Sequence, residues 1–481
     1  MNLLPSSFRD PSGFVFSHDH TIYRQVNNTF SGNYDRFMSS GLYEALVSKG
    51  LLVAHEDVTD SDLPRTDSCH RIIRPTHLPF ISYPYEWSYS QLKDAAILTL
   101  RIQARALKFG FVLKDASAYN IQFVDSRPLF IDTLSFEPYE EGTPWVAYRQ
   151  FCQHFLAPLA LMATVDIDLG KLLITHIDGI PLPLASKLLP WSTKLKYGIQ
   201  AHIHLHARVQ TDYADSAGTD QNAGNRAQKA RNAKLSTTGL KAIIESLAST
   251  IDKLKWKPAQ TEWGDYYSHT NYSDQATLKK RELVDSFLSA IDTPLATIHD
   301  LGANTGEFSR IAANHGSLII SQDIDPVAVE RNYRECRGSE TKNILPLVQN
   351  LFAPSPSIGW ANEERESFRQ RANCDAILAL ALVHHLAISN NTPLSHIASL
   401  FSSLGNWLII EFVPKSDSQV VRLLETREDV FPDYTEQGFE KAFSVYFSIV
   451  KKASVSGTER SLYLMASLNS AEPSTLQSTG P

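Results

Sequence analysis

The chain has 481 residues, 43% of them hydrophobic and 20% charged, with a formal charge of -7. One core usually stops growing at roughly 250 to 300 residues, so two domains are expected, and this composition excludes wholesale disorder. The acidic balance gives no general attraction to polyanions, and no basic patch supplies a strong nucleic-acid signal.

The N-terminus, MNLLPSSFRDPSG, lacks the basic start and long apolar stretch of an export signal, and no apolar run approaches the ~20 residues that span a bilayer. The cysteines Cys69, Cys152, Cys336 and Cys374 are scattered without a CxxC pair. A cytoplasmic protein with no membrane segment is the expectation. SQLKDAAILTLRIQARALKFG reads as a helical stretch. FVLKDASAYNIQFVDSRPLFIDTLSF, residues 111 to 136, places Asp115 and Asn120 in a short loop and Asp132 at the end of an apolar strand. HIHLH lies in a helical context that scatters His202, His204 and His206 around an axis, with no carboxylate at ligand spacing.

Residues 211 to 239 are small and polar and read as a linker or mobile loop. Leu240, Ile243, Ile244, Leu247, Ile251 and Leu254 then recur at helical spacing, so that helix needs a surface to pack on. Trp263, Tyr266, Tyr267 and Tyr272 follow, either as a lid over a ligand or as a seal on a sheet edge. From residue 295 short apolar runs alternate with helical patterns, which implies a parallel sheet covered on both faces, with ligands at the carboxyl ends of its strands. IIEFVPKSD brings Glu411 and Lys415 to that mouth, and a hairpin turning at Ser456 and Gly457 closes the sheet. The expected domains are 1–210, a 211–239 linker, 240–470 and a flexible 471–481 tail.

The first strand runs into HDLGANTGEFSR, where Gly302 and Gly306 permit sharp turns and close approach of a ligand. Such a loop can cradle a phosphate or an amino-acid carboxylate. Asp300 directly before the turn favours the second, because a carboxylate accepts from an ammonium group and repels a pyrophosphate. Asp323, ending the next strand in SQDIDP, is placed to receive both hydroxyls of a ribose. An amino acid joined to a ribose is S-adenosylmethionine. On these residues the region resembles a class I S-adenosylmethionine-dependent methyltransferase over roughly residues 260 to 468. The resemblance implies an α/β, Rossmann-like domain with a mostly parallel seven-stranded sheet. It also implies that Asp300, Gly302, Asn304 and Gly306 form the first motif, with Asn304 where the middle glycine usually stands. Asn350, after the third strand, occupies the adenine-reading position.

The fourth strand ends in LALALVHHLAIS, which makes His384 and His385 the candidates for a base or for orienting a hydroxyl. No Asn-Pro-Pro-Tyr type sequence follows, so planar amino nitrogens are disfavoured as acceptors. No cysteine stands beside a proline there, which disfavours cytosine-C5 chemistry. A hydroxyl or carboxylate of a small molecule or glycan remains open.

Asp115, Asn120 and Asp132 resemble the catalytic loop and metal-binding acid of protein kinases and aminoglycoside-type phosphotransferases. The resemblance implies an α+β kinase-like N-terminal domain, with Asn120 and Asp132 holding magnesium if Mg-ATP binds. It also pairs Arg24 with Glu44, and it makes SQLKDAAILTLRIQARALKFG the long helix of that fold, PFISYPYEW the strand and hinge before it and GFVFSHDHTIYRQV the first hairpin. A glycine-rich loop is missing. Read from the residues alone, Asp115 and Asn120 form an Asx-type turn and Asp132 a strand-end cap. Nearly the full chain resembles a bacterial family of nodulation host-specificity proteins and methyltransferases, through DPSGFVF, IYRQV, SGLYEAL, FIDTLSFE, PWVAYRQF and HDLGANTGEFS. The expected function is methyl transfer. The alternatives are a bifunctional kinase-methyltransferase and a non-catalytic ligand sensor.

Overall fold

The computed structural model describes residues 1–59, 63–208, 235–257, 274–425 and 428–468. The chain divides into two compact units, Met1–Lys257 with Ser357–Glu366, and Pro258–Pro356 with Ser367–Pro481. The helix that opens near residue 240 therefore belongs to the first unit rather than to the C-terminal domain assigned above. The ten residues 357–366 also belong to the first unit, although the sequence on either side of them builds the second. The expected linker, up to residue 234, the four aromatics from Trp263 to Tyr272 and the tail lie outside the described residues.

The first unit carries a five-stranded sheet in the order β1-β2-β3-β5-β4. Its strands are β1 (Asn2–Leu3), β2 (Gly13–His18), β3 (Thr21–Asn27), β4 (His55–Asp57) and β5 (Cys69–Pro75). Strands β2 and β3 form an antiparallel hairpin over GFVFSHDHTIYRQV, where the kinase-like resemblance places one. Two small pairs follow, β6 (Phe111–Leu113) with β9 (Phe136–Pro138), and β7 (Ile121–Val124) with β8 (Arg127–Phe130). PFISYPYEW forms no strand; it folds as a short 3-10 turn, Pro84–Glu86, whose proline starts the turn and removes a strand donor. The helix Tyr89–Ala106 is capped by Ser88, whose side chain accepts from Gln91 N while Gln91 reaches back to Ser88 N. Helix Thr237–Lys253 begins under the Ser236 cap and buries Leu240, Ile244, Leu247 and Ile251. Lys93 Nζ donates to the carbonyls of Asp252 and Leu254 at its end, each at 2.9 Å, where the helix dipole favours a cation.

The second unit is built on a seven-stranded sheet in the order β12-β11-β10-β13-β14-β16-β15. The strands are β10 (Leu295–Leu301), β11 (Gly316–Asp323), β12 (Ile344–Val348), β13 (Cys374–Ala379), β14 (Gly405–Phe412), β15 (Phe447–Ser454) and β16 (Ser461–Ser467). β10 to β14 are mutually parallel, and β16 is antiparallel to β14 and β15. Alternate residues feed two cores, as the two-residue period of a strand requires. Ala376, Leu378 and Ile409 join Val284, Phe287 and Phe308 on one face. Ile377, Ala379, Leu408 and Ile410 join Phe401, Phe439 and Tyr463 on the other. The strand order reverses between β10 and β13, and at such a switch point the loops splay apart and leave a crevice at the strand ends.

Candidate functional site

Asp300 is the last residue but one of β10, and its buried side chain accepts from the Ser309 hydroxyl at 2.6 Å. Burial pushes its carboxyl up to about 7. The chain then turns through Gly302 at φ +76°, Asn304 at φ +49° and Gly306 at φ +82°. Asn304 supplies the left-handed conformation that the missing middle glycine would have given, since asparagine tolerates that region far better than most side chains. Its own Oδ1 accepts from Thr305 N at 2.8 Å and steadies the bend. At Gly306 a Cβ would fall 2.4 Å from Asn332 Oδ1, so the glycine is required by position as well as by φ.

Two backbone bonds fasten this loop to β11, with Gly302 N and Ala303 N both donating to the Gln322 carbonyl at 2.9 Å. Asp323 completes the clasp. Its carboxylate accepts from Asn304 N at 2.7 Å and from Asp325 N at 2.8 Å, while burial raises its pKa to about 6. Beyond β12, Asn350 Oδ1 accepts from Phe352 N at 2.9 Å, which fixes the side-chain amide with its NH2 group as the donor end.

Asp300, Gly302, Asn304, Asp323 and Asn350 line one cavity of about 300 Å³. Ile324 and Phe352 also line it, both more than half exposed and flanking the two polar groups. Gly306 is not on its wall and acts through the bend. The cavity is thus polar at the β10 turn, and where β11 and β12 end it sets the polar Asp323 and Asn350 between the apolar Ile324 and Phe352.

The two candidate histidines separate. His385 lines the cavity, and burial lowers its pKa to about 4, so its imidazole is neutral. His384 is 1% exposed and off the wall, packed against the ring of its neighbour at 4.1 Å. Sequence reasoning missed Lys280, which also lines the cavity and pairs with buried Glu411 at 2.6 Å. Glu411 further accepts from Ala381 N at 2.7 Å, tying β14 to the loop after β13. The signal available was a lysine at a position of the helix Asp274–Leu288 that faces the core, one turn before Val284. Lys415 turns away to Asp429, at 2.7 Å.

The first unit has a cavity of its own, about 420 Å³, on whose wall Arg24, Asp115, Asn120 and Asp132 all stand. Glu44 does not join them. It is exposed, and the Arg24 guanidinium instead meets Asp132 Oδ1 at 2.5 Å. The Asp115 carboxyl is raised above its ordinary value by burial and then by the Asp132 charge. Glu364 and Arg365, from the ten-residue excursion, line the same cavity. Among the described residues no cluster of histidine, cysteine and carboxylate side chains has the geometry to hold a metal ion. His202 and His204 are spent on hydroxyl partners, Tyr148 and Ser246 for the first, Ser186 and Thr193 for the second.

No family model matches the chain. It is 37% identical over 461 residues to nodulation protein NoeA of Rhizobium meliloti (strain 1021), a match covering 95% of this chain and 94% of that protein. The chain belongs to the NoeA family. Among solved structures, the N-methyltransferase NodS of Bradyrhizobium japonicum WM9 is 11% identical and aligns over 40% of this chain and 98% of its own, with a TM-score of 0.30. Magnesium protoporphyrin IX methyltransferase of Synechocystis PCC 6803 is 16% identical over 43% of this chain and 92% of its own, also with a TM-score of 0.30. The bifunctional kinase-methyltransferase WbdD is 17% identical over 40% of each chain, with a TM-score of 0.28. For this NoeA-family chain, the sheet order, the β10 turn and the acids ending β10 and β11 together give the second unit an S-adenosylmethionine-dependent methyltransferase fold.

Proposed function

We propose that the second unit binds S-adenosylmethionine and transfers its methyl group to a hydroxyl or carboxylate of a small molecule or glycan. The observation that carries this reading is the pair of buried acids, Asp300 and Asp323, set at the ends of adjacent strands on one cavity wall. Asp300 accepts from the ammonium group. Asp323 accepts from the ribose hydroxyls, and the Asn350 amide donates to the adenine edge. Ile324 and Phe352 shield the faces of the base, an apolar role suited to their exposure in the free protein. The sulfonium supplies an electrophilic methyl, so the chain has to hold the acceptor in line rather than generate a strong nucleophile.

His385, neutral and on the wall, accepts a hydrogen bond from an acceptor hydroxyl and orients its lone pair. With a pKa near 4 it is a weak base at neutral pH, and positioning is its contribution. Titration of the full chain with S-adenosylmethionine by calorimetry tests the reading. Wild type is expected to bind, and Asp323→Ala to lose binding while keeping its circular dichroism spectrum. A wild-type protein that takes up no S-adenosylmethionine would sink the proposal.

The convergence of Arg24, Asp115, Asn120 and Asp132 on one cavity favours a second reading, in which the first unit also has a kinase-like fold and uses Mg-ATP. Asn120 and Asp132 would then hold magnesium, which requires Asp132 to give up its bonds from Arg24 and the Ser135 hydroxyl. ATP turnover abolished by Asp132→Ala supports it; a wild type without ATP turnover removes it.

A further inference from the structure

We infer that the cavity of the first unit is a metal-independent site for an uncharged nucleoside, with the base between aliphatic side chains and the sugar among the polar groups around Asp115. This stands apart from the methyl-transfer reading and departs from the Mg-ATP one.

One wall is set by strand register. Val15 lies opposite Arg24 across β2 and β3, and Arg24 opposite Ile73 across β3 and β5, so all three side chains share a face. Ile22, two residues from Arg24, shares it too. That face presents branched aliphatic surface with a single guanidinium, and Ile131 lines the cavity beside Asp132. Aliphatic walls of this kind fit a flat heterocycle. A bare sugar would gain little from them.

The other end is polar, and the buried atoms Arg24 Nε, Arg365 Nε, the Tyr119 hydroxyl and His154 Nδ1, all on residues of the cavity wall, lack partners among the described residues. His154 is 2% exposed. A buried polar atom without a partner costs roughly 1 to 3 kcal/mol, a cost that a ligand bearing hydroxyls removes. Asp115 stands among them, its Oδ1 accepting from Ser117 N at 2.8 Å.

Magnesium and a polyphosphate do not fit. Both oxygens of Asp132 are engaged, Oδ1 by Arg24 at 2.5 Å and Leu134 N at 3.0 Å, and Oδ2 by the Ser135 hydroxyl at 2.6 Å. The cations on the wall face partners of their own, with Arg24 Nε and Arg365 Nε left over among the described residues. Arg9 grips Glu364 through Nε at 2.6 Å and Nη2 at 2.8 Å, Arg24 holds Asp132, and the Arg365 guanidinium lies 4.4 Å over the Tyr119 ring. Asp10 is offset by Lys114 at 3.1 Å, and Asp115, Asp132, Asp178 and Glu364 line the cavity against those three guanidiniums, so its field opposes an added polyanion. The β2–β3 turn, His18 to Thr21, offers no glycine for close backbone approach to phosphates.

The test uses the full chain with S-adenosylhomocysteine in excess, so that any nucleoside affinity of the second unit is occupied. Adenosine, guanosine, cytidine and uridine are titrated in EDTA and again in magnesium, with Mg-ATP alongside. At least one nucleoside is expected to bind equally with and without magnesium. Ile22→Trp, which fills the aliphatic end, should abolish that binding, and Asp115→Asn should weaken it about tenfold. Unchanged binding of S-adenosylhomocysteine in both variants would show that they fold. If that ligand does not bind wild type, the first-unit variants still decide, with circular dichroism reporting on folding. No nucleoside binding, binding unaffected by both variants, or Mg-ATP binding tighter than every nucleoside and lost in EDTA overturns the inference.

Discussion

Asp300 sets the pH behaviour of the proposed cofactor site. Its folded pKa of about 7 lies above the ordinary 3.8, so between those values the folded state holds a proton that the unfolded chain has released. That contribution to stability is present at low pH and lost as pH rises through 7. A cationic ligand reverses the preference, because an ammonium group beside Asp300 favours the carboxylate. S-adenosylmethionine affinity should therefore climb between pH 6 and 7.5, with protons released on binding. Calorimetry in buffers of different ionisation enthalpy reads that release directly, and Asp300→Asn should bind weakly with a flat profile. A wild-type affinity independent of pH would count against Asp300 as the ammonium partner. At the turn that follows, Gly306→Ala should destabilise the protein by more than about 2 kcal/mol, since it combines a left-handed φ with a Cβ clash on Asn332. Asn304→Gly keeps the conformation and should change stability by less than about 1 kcal/mol in urea melts.

The strands of the second unit are legible because each buried strand repeats a short apolar run between turn residues, and the acids at their ends can be counted off from those runs. The side chains that tie elements together leave no such trace. Lys280 and Glu411 are 131 residues apart, and only the folded sheet shows that the helix Asp274–Leu288 sets its lysine over the end of β14. This pair is 5% and 0% exposed, so breaking it strands a charge in the core. Lys280→Met is expected to cost about 3 to 5 kcal/mol, the usual penalty for removing one partner of a buried ion pair. A double-mutant cycle with Glu411→Gln should return a coupling above about 1 kcal/mol in urea denaturation. Additive effects would mean that Arg460, 3.7 Å from Glu411, carries the pairing instead.

Across the molecule, the division into units does not follow the order of the chain. The sequence suggested a break in the polar stretch before residue 240, because composition marks linkers. It was silent on residues 357–366, which leave the second unit after β12 and rejoin it before β13. Only the length of that connection, 25 residues between Val348 and Cys374, hinted at an excursion longer than most strand-to-strand links require. Glu364 from this excursion receives two bonds from Arg9, 355 residues away, and a third from Trp360 N at 3.2 Å. The first unit therefore draws on sequence from within the second to pair its Arg9, whose Nη1 also meets Asp178 at 3.1 Å. Glu364→Ala removes an acceptor of charged hydrogen bonds and should destabilise the first unit by about 1.5 to 3 kcal/mol. Differential scanning calorimetry with and without S-adenosylmethionine can assign the effect. The ligand should raise the transition of the second unit, and the variant should lower the transition that the ligand leaves alone. A fall confined to the ligand-raised transition would return Glu364 to the second unit and overturn the division drawn here.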